Sequence, residues 1–172
     1  MPQALLTDLA INKIRDAAGS AAAVAISHVA LGDGLGANYD AAASQTSLRR
    51  ELARVAIASR TQIGARSWQV KAEFPPETPV FTIREIGFFD NAGALIAIVA
   101  GTDFEARQAG TIAYIIQHVL NFSRVGDGLI IIEAPDDEVL TFHLLTLASQ
   151  ARQDTRLFNL SEAHFLAHGA YA

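Results

Sequence analysis

Residues 80–99 constrain the fold more than any other stretch of the chain. Positions 80–89 are almost entirely apolar yet hold Arg84 and Glu85 side by side, and Asp90-Asn91-Ala92-Gly93 leads from them into Leu95-Ile96-Ala97-Ile98-Val99. Aspartate first and glycine fourth is the pattern of a type I turn closed at positive φ, so the two runs read as a β-hairpin. A returning strand that is apolar on both faces should be covered on both. Neighbouring side chains on a strand point to opposite faces, so Arg84 and Glu85 cannot be equally exposed. One of them is expected inside or at an interface, and matched there, because a lone buried charge is costly. An internal ion pair or network would satisfy that need, and so would a contact with another subunit. On the first reading, Arg84→Ala damages folding or assembly before it damages binding.

The flanking segments predict an α+β fold, a mostly antiparallel sheet with an N-terminal helix and a C-terminal helix. Thr7 is a natural N-cap for a helix over 8–18, with Leu9, Ile11 and Ile14 to one side and Gly19 as its stop. A strand over 24–31 runs into the turn Gly32-Asp33-Gly34. Thr46 or Ser47 caps a short helical turn through Glu51. Strands are expected over 54–63 and 67–74, joined by Gly64-Ala65-Arg66, and Pro75 to Pro79 cannot join a central ladder. Positions 102–110 look like a mobile loop. Strands follow over 111–122 and 129–132, joined by Gly126-Asp127-Gly128. Pro135 then starts a helix with Asp136, Asp137 and Glu138 in its first turn, where the helix dipole favours anions. Leu140, Leu144 and Leu147, followed by Ala151, form a short heptad seam suited to self-association, and the pattern dissolves after Asp154. Two regions result: 1–135 as the main domain, and 136–172 as a helix and tail for oligomerisation or distal attachment.

Composition narrows the function. The chain has 172 residues, 51% hydrophobic and 18% charged, with net charge −5 and no cysteine. Sparse charge suggests apolar surface hidden against partner subunits. The acidic balance argues against nucleic-acid binding, and no basic run or long apolar stretch points to a membrane. Lack of cysteine removes disulfides, thiolate zinc sites and cysteine nucleophiles, and fits assembly in a reducing cytoplasm. Gly32-Asp33-Gly34-Leu35-Gly36-Ala37 loosely fits a dinucleotide fingerprint, but Asn38-Tyr39-Asp40 breaks the helix that must follow and Asp33 would repel a pyrophosphate. His164 and His168 share a zinc-like spacing without a third ligand. His118 and His28 read as hydrogen-bonded structural histidines. No catalytic, cofactor or metal motif emerges, and the chain is not expected to be an enzyme.

Three stretches, in order, resemble the N-terminal domain of phage tail-collar fibre proteins: Ile11-Asn12-Lys13-Ile14, then Val29-Ala30-Leu31-Gly32-Asp33-Gly34, then Phe81-Thr82-Ile83-Arg84-Glu85-Ile86-Gly87-Phe88-Phe89-Asp90 with Gly93 and Leu95-Ile96-Ala97. Leu48 through Arg54 also resembles the family's helix and arginine segment before its first long strand, and the likeness spans roughly residues 5–135. It implies a virion structural protein that fastens tail fibres to the baseplate of a contractile tail, assembled in the host cytoplasm. It further implies a homotrimer and a baseplate wedge protein as partner; a distal tail fibre is a further partner that a short adaptor could carry. The loop 102–107 lacks the lysine-proline feature of many relatives. A chain that stops at Ala172 has no room for shaft and tip, so a short adaptor or fibre base is expected, without receptor binding. A small-ligand or nucleotide module using Gly32 to Gly36 is the alternative, and a sugar-cleaving enzyme with acids from 136–138 is the weakest reading.

Overall fold

A computed structural model describes residues 3–18, 20, 22–64, 66–110, 113–121, 129–137, 139, 142, 146 and 149–159. It divides into two compact units, Met1–Pro135 and Asp136–Ala172. In the first unit, β1 (Leu5–Leu6) leads into helix α1 (Asp8–Ala18), then β2 (Val24–Ile26), β3 (His28–Gly32), β4 (Glu51–Ala56), β5 (Ser59–Gly64) and β6 (Ser67–Phe74). β7 (Phe81–Ile83), β8 (Glu85–Phe89), β9 (Leu95–Val99), β10 (Arg107–Ala109), β11 (Tyr114–Asn121) and β12 (Ile130–Ile132) complete it. The fold is α+β, and its antiparallel sheets dominate.

The central sheet has five strands in the order β1-β9-β8-β3-β4, all antiparallel neighbours. Every residue of β8 and β9 is buried, as expected of strands apolar on both faces. One face, with Val29, Leu31, Ile86 and Phe88, packs into a core shared with Ala10 and Ile14 of α1 and with Val70, Phe74, Ile116 and Leu120. The other face, with Ala30, Phe89, Leu95 and Ile98, is covered by Tyr39 and Leu48 from the long connection between β3 and β4. That connection is the cover over half the sheet, and something must hold it down.

A three-stranded sheet β11-β6-β5 supplies the shared core, with Ile116, His118 and Leu120 inward and Ile115, Gln117, Val119 and Asn121 outward. β10 pairs with β7 antiparallel, and β12 with β2 in parallel. Thr7 caps α1 as expected: its Oγ1 accepts from the Ala10 amide at 3.1 Å and donates to the Leu95 carbonyl at 2.7 Å, tying the helix start to β9.

Several expected elements come out differently. The strand over 24–31 is cut at Ser27, whose amide bonds to Phe89 so that β2 can leave for β12. Residues 80–89 split at Arg84, whose amide donates to the Gly32 carbonyl. The strand over 54–63 is really β4 and β5, parted at Ile57 and Ala58, whose amides go to Ser27 and Lys71. No helical turn forms at 47–51, because a carboxylate from β8 takes the Arg49 and Arg50 amides. The expected loop 102–110 contains β10 and is tethered, with Asn38 Nδ2 donating to the Phe104 carbonyl and the Thr102 amide to Asp40. Asp136 and Asp137 are not helical, since the Pro135 carbonyl accepts from the Arg60 amide instead of opening a helix.

In the second unit, described positions 139, 142, 146 and 149–159 are helical. The helix runs past Asp154, with the described positions through Asn159 all helical. Ala151 is exposed on it. Leu140, Leu144 and Leu147 of the seam, Glu138, the turn at 126–128, and His164 and His168 lie outside the described residues.

Candidate functional site

The covering connection is pinned by one side chain, Glu85, which has no exposed surface. Its Oε1 accepts from the Arg50 amide at 2.9 Å and the Gly34 amide at 3.2 Å, and its Oε2 accepts from the Arg49 amide at 2.9 Å and from the Tyr39 hydroxyl. A carboxylate removed from water needs its lone pairs filled, and hydrogen bonds to a charged acceptor are the stronger kind. Three separate points of the connection thus converge on one residue of β8. No arginine side chain is used: the Arg49 guanidinium lies 3.6 Å from the Tyr39 ring centroid, and that of Arg50 turns to Asp33. Burial, followed by the bond to Glu85, pushes the Tyr39 hydroxyl up to about 12, so it stays a donor.

The Gly32-Asp33-Gly34 turn wraps this clamp. At Gly32 a Cβ would lie 2.5 Å from the Arg50 carbonyl oxygen and 2.8 Å from Glu85 Cγ, so glycine alone allows the close approach. Asp33 Oδ1 accepts from Arg50 Nε at 2.7 Å and from the Leu35 amide at 3.1 Å. The bond from Arg50, against the opposing pull of burial, holds the Asp33 carboxyl below the usual aspartate range. The Gly36 amide donates to the Asp33 carbonyl at 2.9 Å. The amides of Gly34, Leu35 and Gly36 are therefore all engaged within the chain, and only a three-residue 3-10 turn follows. The dinucleotide reading of this loop fails on both counts, for a phosphate needs free amides at the start of a true helix.

The opposite end of β8 repeats the device. Asp90 Oδ1 accepts from the Ala92 and Ala94 amides at 3.0 and 2.8 Å, closing the turn in which Gly93 has φ +81°. Asp90 Oδ2 pairs with Lys13 of α1. Burial pushes this carboxyl up, but Lys13 and the two amides outweigh it and hold it below the usual range. Between the two acids, Gly87 leaves room for Phe89: a Cβ there would sit 2.6 Å from the Phe89 ring and 3.1 Å from Leu48.

Of the sequence motif, Glu85, Ile86, Gly87, Phe88, Phe89 and Asp90 are buried within the chain, and Arg84 is partly exposed. Glu85, not Arg84, is the fully buried and matched one of the two adjacent charges. His118 is buried against Phe88, with ring centroids 5.5 Å apart, and its Nε2 has no partner among the described residues. The hydrogen bond expected of it at that atom is missing, and desolvation lowers its pKa. His28 meets the expectation through Ser27 Oγ, 2.8 Å from its Nδ1. Sequence reasoning gave Tyr39 no role, and it placed Lys13, Arg49 and Arg50 in family-like stretches without assigning their contacts. Three of the four donors to Glu85 are backbone amides, which every residue type carries, and only Tyr39 could have been sought, as a buried phenol needing an acceptor.

Among the described residues no group of acids and histidines is placed to hold a metal, and no helix is long and apolar enough to cross a membrane. Comparison with curated proteins and with solved structures finds no match. The family model of the phage tail-collar fibre protein N-terminal domain matches residues 1–123, which takes in the helix α1, the glycine turn, the clamp and the Asp90 hairpin. The chain therefore belongs to the phage tail-collar fibre family, and with it to the structural proteins of the phage tail.

Proposed function

We propose that this protein fastens a tail fibre to the baseplate of a contractile phage tail, as a homotrimeric adaptor or fibre base. The match of the family domain over residues 1–123 carries the reading. The structure supports it physically. A domain that transmits load must resist shear between its layers, and here two buried acids bolt the loop and the helix to the central sheet. Its work is mechanical: Glu85, whose acceptors are filled and whose surface is fully covered, is not available to a substrate. The N-terminal unit docks on a baseplate wedge protein, and the unit from Asp136 onward binds further copies or a distal fibre. Assembly takes place in the host cytoplasm before the tail is complete.

Sedimentation equilibrium of the purified chain tests the trimer, and a monomer at micromolar concentration would refute it. Imaging of intact particles bearing an antibody fragment against residues 1–135 tests the location. The fragment should mark the baseplate rim where fibres emerge, and label along the tube or at the head would overturn the proposal.

A further inference from the structure

The Glu85 clamp presents a side chain that the fold itself does not use. Leu35 stands between Gly34 and Gly36 at φ +60° and ψ +34°, the single non-glycine at positive φ among the described residues. A leucine there is sterically disfavoured, and glycine or asparagine would be the ordinary choice. Its side chain is 63% exposed, so no packing within the chain compensates. Nor is the segment loose. The amides of Gly34, Leu35 and Gly36 are bonded to Glu85, the Asp33 side chain and the Asp33 carbonyl in turn. Strain that a rigid surrounding enforces on an exposed apolar residue is characteristic of a binding position.

Arg84 lies against the same turn. Its Cβ is 3.5 Å from where a Cβ of Gly34 would be, and its amide donates to the Gly32 carbonyl. Among the described residues its guanidinium makes no hydrogen bond and no ion pair within 4 Å; its charge acts on Asp33 from a distance, while Arg50 is paired to Asp33 directly and Arg49 is stacked on Tyr39. It is also the one residue from Arg84 to Asp90 that the fold leaves only half-buried.

We propose that Leu35 and Arg84 together form the docking point of this domain for a different protein, one offering an apolar socket with a carboxylate at its rim. The inference rests on the attachment role proposed above and names the surface that performs it. Leucine supplies apolar surface to bury in a socket, and arginine, one of the residues enriched at the energetic centre of interfaces, supplies a forked donor for a carboxylate. A second copy of this chain is the poorer occupant. Its apolar pocket beside Ile83, Phe104 and Tyr114 has Glu105 at the rim, but that carboxylate is already held by Arg107 at 3.0 Å.

The test uses phage tails purified from a host in which the gene for this chain is deleted, mixed with the full-length purified protein and sedimented. Wild type should bind the tails saturably, and less tightly as salt is raised. Leu35→Asn should unfold at the same or a higher temperature, since asparagine tolerates this backbone, yet bind about tenfold or more weakly. Arg84→Gln should fold normally, bind about tenfold more weakly and lose most of the salt dependence. Both variants should keep the wild-type oligomeric state. Wild-type binding with unaltered binding by both variants overturns this surface while leaving the attachment role intact. A change of oligomeric state in either variant shows the surface to be an interface between copies and overturns it too. Failure of wild type to bind the tails overturns the attachment role itself, and this surface with it.

Discussion

Replacing Glu85 by glutamine changes one atom of the clamp and tests the whole of it. If the amide oxygen takes the place of Oε1, it still accepts from Gly34 and Arg50. The amide nitrogen then faces the Arg49 N–H, donor against donor, while the Tyr39 hydroxyl can turn to accept. One unpaired, partly buried amide costs about 1–3 kcal/mol. Loss of charge from the two surviving bonds weakens each by roughly half, adding about 1 kcal/mol. The expected loss is about 2–4 kcal/mol, a large share of the roughly 5–15 kcal/mol that holds a domain of this size. With a urea slope of about 2 kcal/mol per molar, the unfolding midpoint should fall by about 1–2 M. Tyr39→Phe alone should cost less, and the double variant should fall short of the sum of the two, since both residues share one bond. A shift under about 0.3 M for Glu85→Gln, too small for even the lost amide bond, would refute the reasoning. It would mean that the site accepts a neutral group as readily as a carboxylate.

Gly32→Ala should lower stability by about 1–3 kcal/mol or more, read as a fall in melting temperature, because its Cβ drives apart the Arg50 carbonyl and Glu85. Asp90→Asn removes the Lys13 pair and weakens the turn, at about 1–2 kcal/mol by chemical denaturation, with α1 losing hydrogen-exchange protection first. Stability against pH should show a plateau with losses on both sides. His118 titrates below 6.5 when folded, so the unfolded chain takes its proton first and stability falls as pH drops below 6.5. The depressed Asp33 and Asp90 contribute in full above 3.8, and that share goes as pH falls through their lower folded values. On the alkaline side Tyr39 loses its share as pH rises from 10.0 to about 12. His118→Phe should remove the shallow loss just below 6.5, and an unchanged acid profile would count against that assignment.

Much of the frame was legible from residue pattern. Thr7 announced the start of α1, Asp90 and Gly93 announced the hairpin, and Leu95 to Val99 announced a strand covered on both faces. These are local rules, set by side-chain alternation and by the one or two residue types that a cap or turn tolerates. Where pattern failed, a distant group had taken a backbone amide. Arg49 and Arg50 did not begin a helical turn because Glu85, 35 residues or more along the chain, holds their N–H groups. The run over 24–31 divided because Ser27 bonds to Phe89, and the loop at 102–110 is tied down by Asn38 and Asp40.

The adjacent charges show the division most clearly. The sequence by itself led to the expectation that Arg84 and Glu85 differ in exposure, by the alternation of side chains along a strand, and they do differ although the strand breaks at Arg84. It also identified the glycine turn and the motif of the tail-collar fibre family, and so placed the chain among the structural proteins of the phage tail. Only the tertiary structure decided which charge goes inside. Glu85 lies on the sheet face beneath the β3–β4 connection, where Gly34, Arg49 and Arg50 offer amides that have no helix or ladder of their own to join. An acid can accept from such amides and an arginine, which only donates, cannot, so the glutamate is fully buried and the arginine is left half-buried.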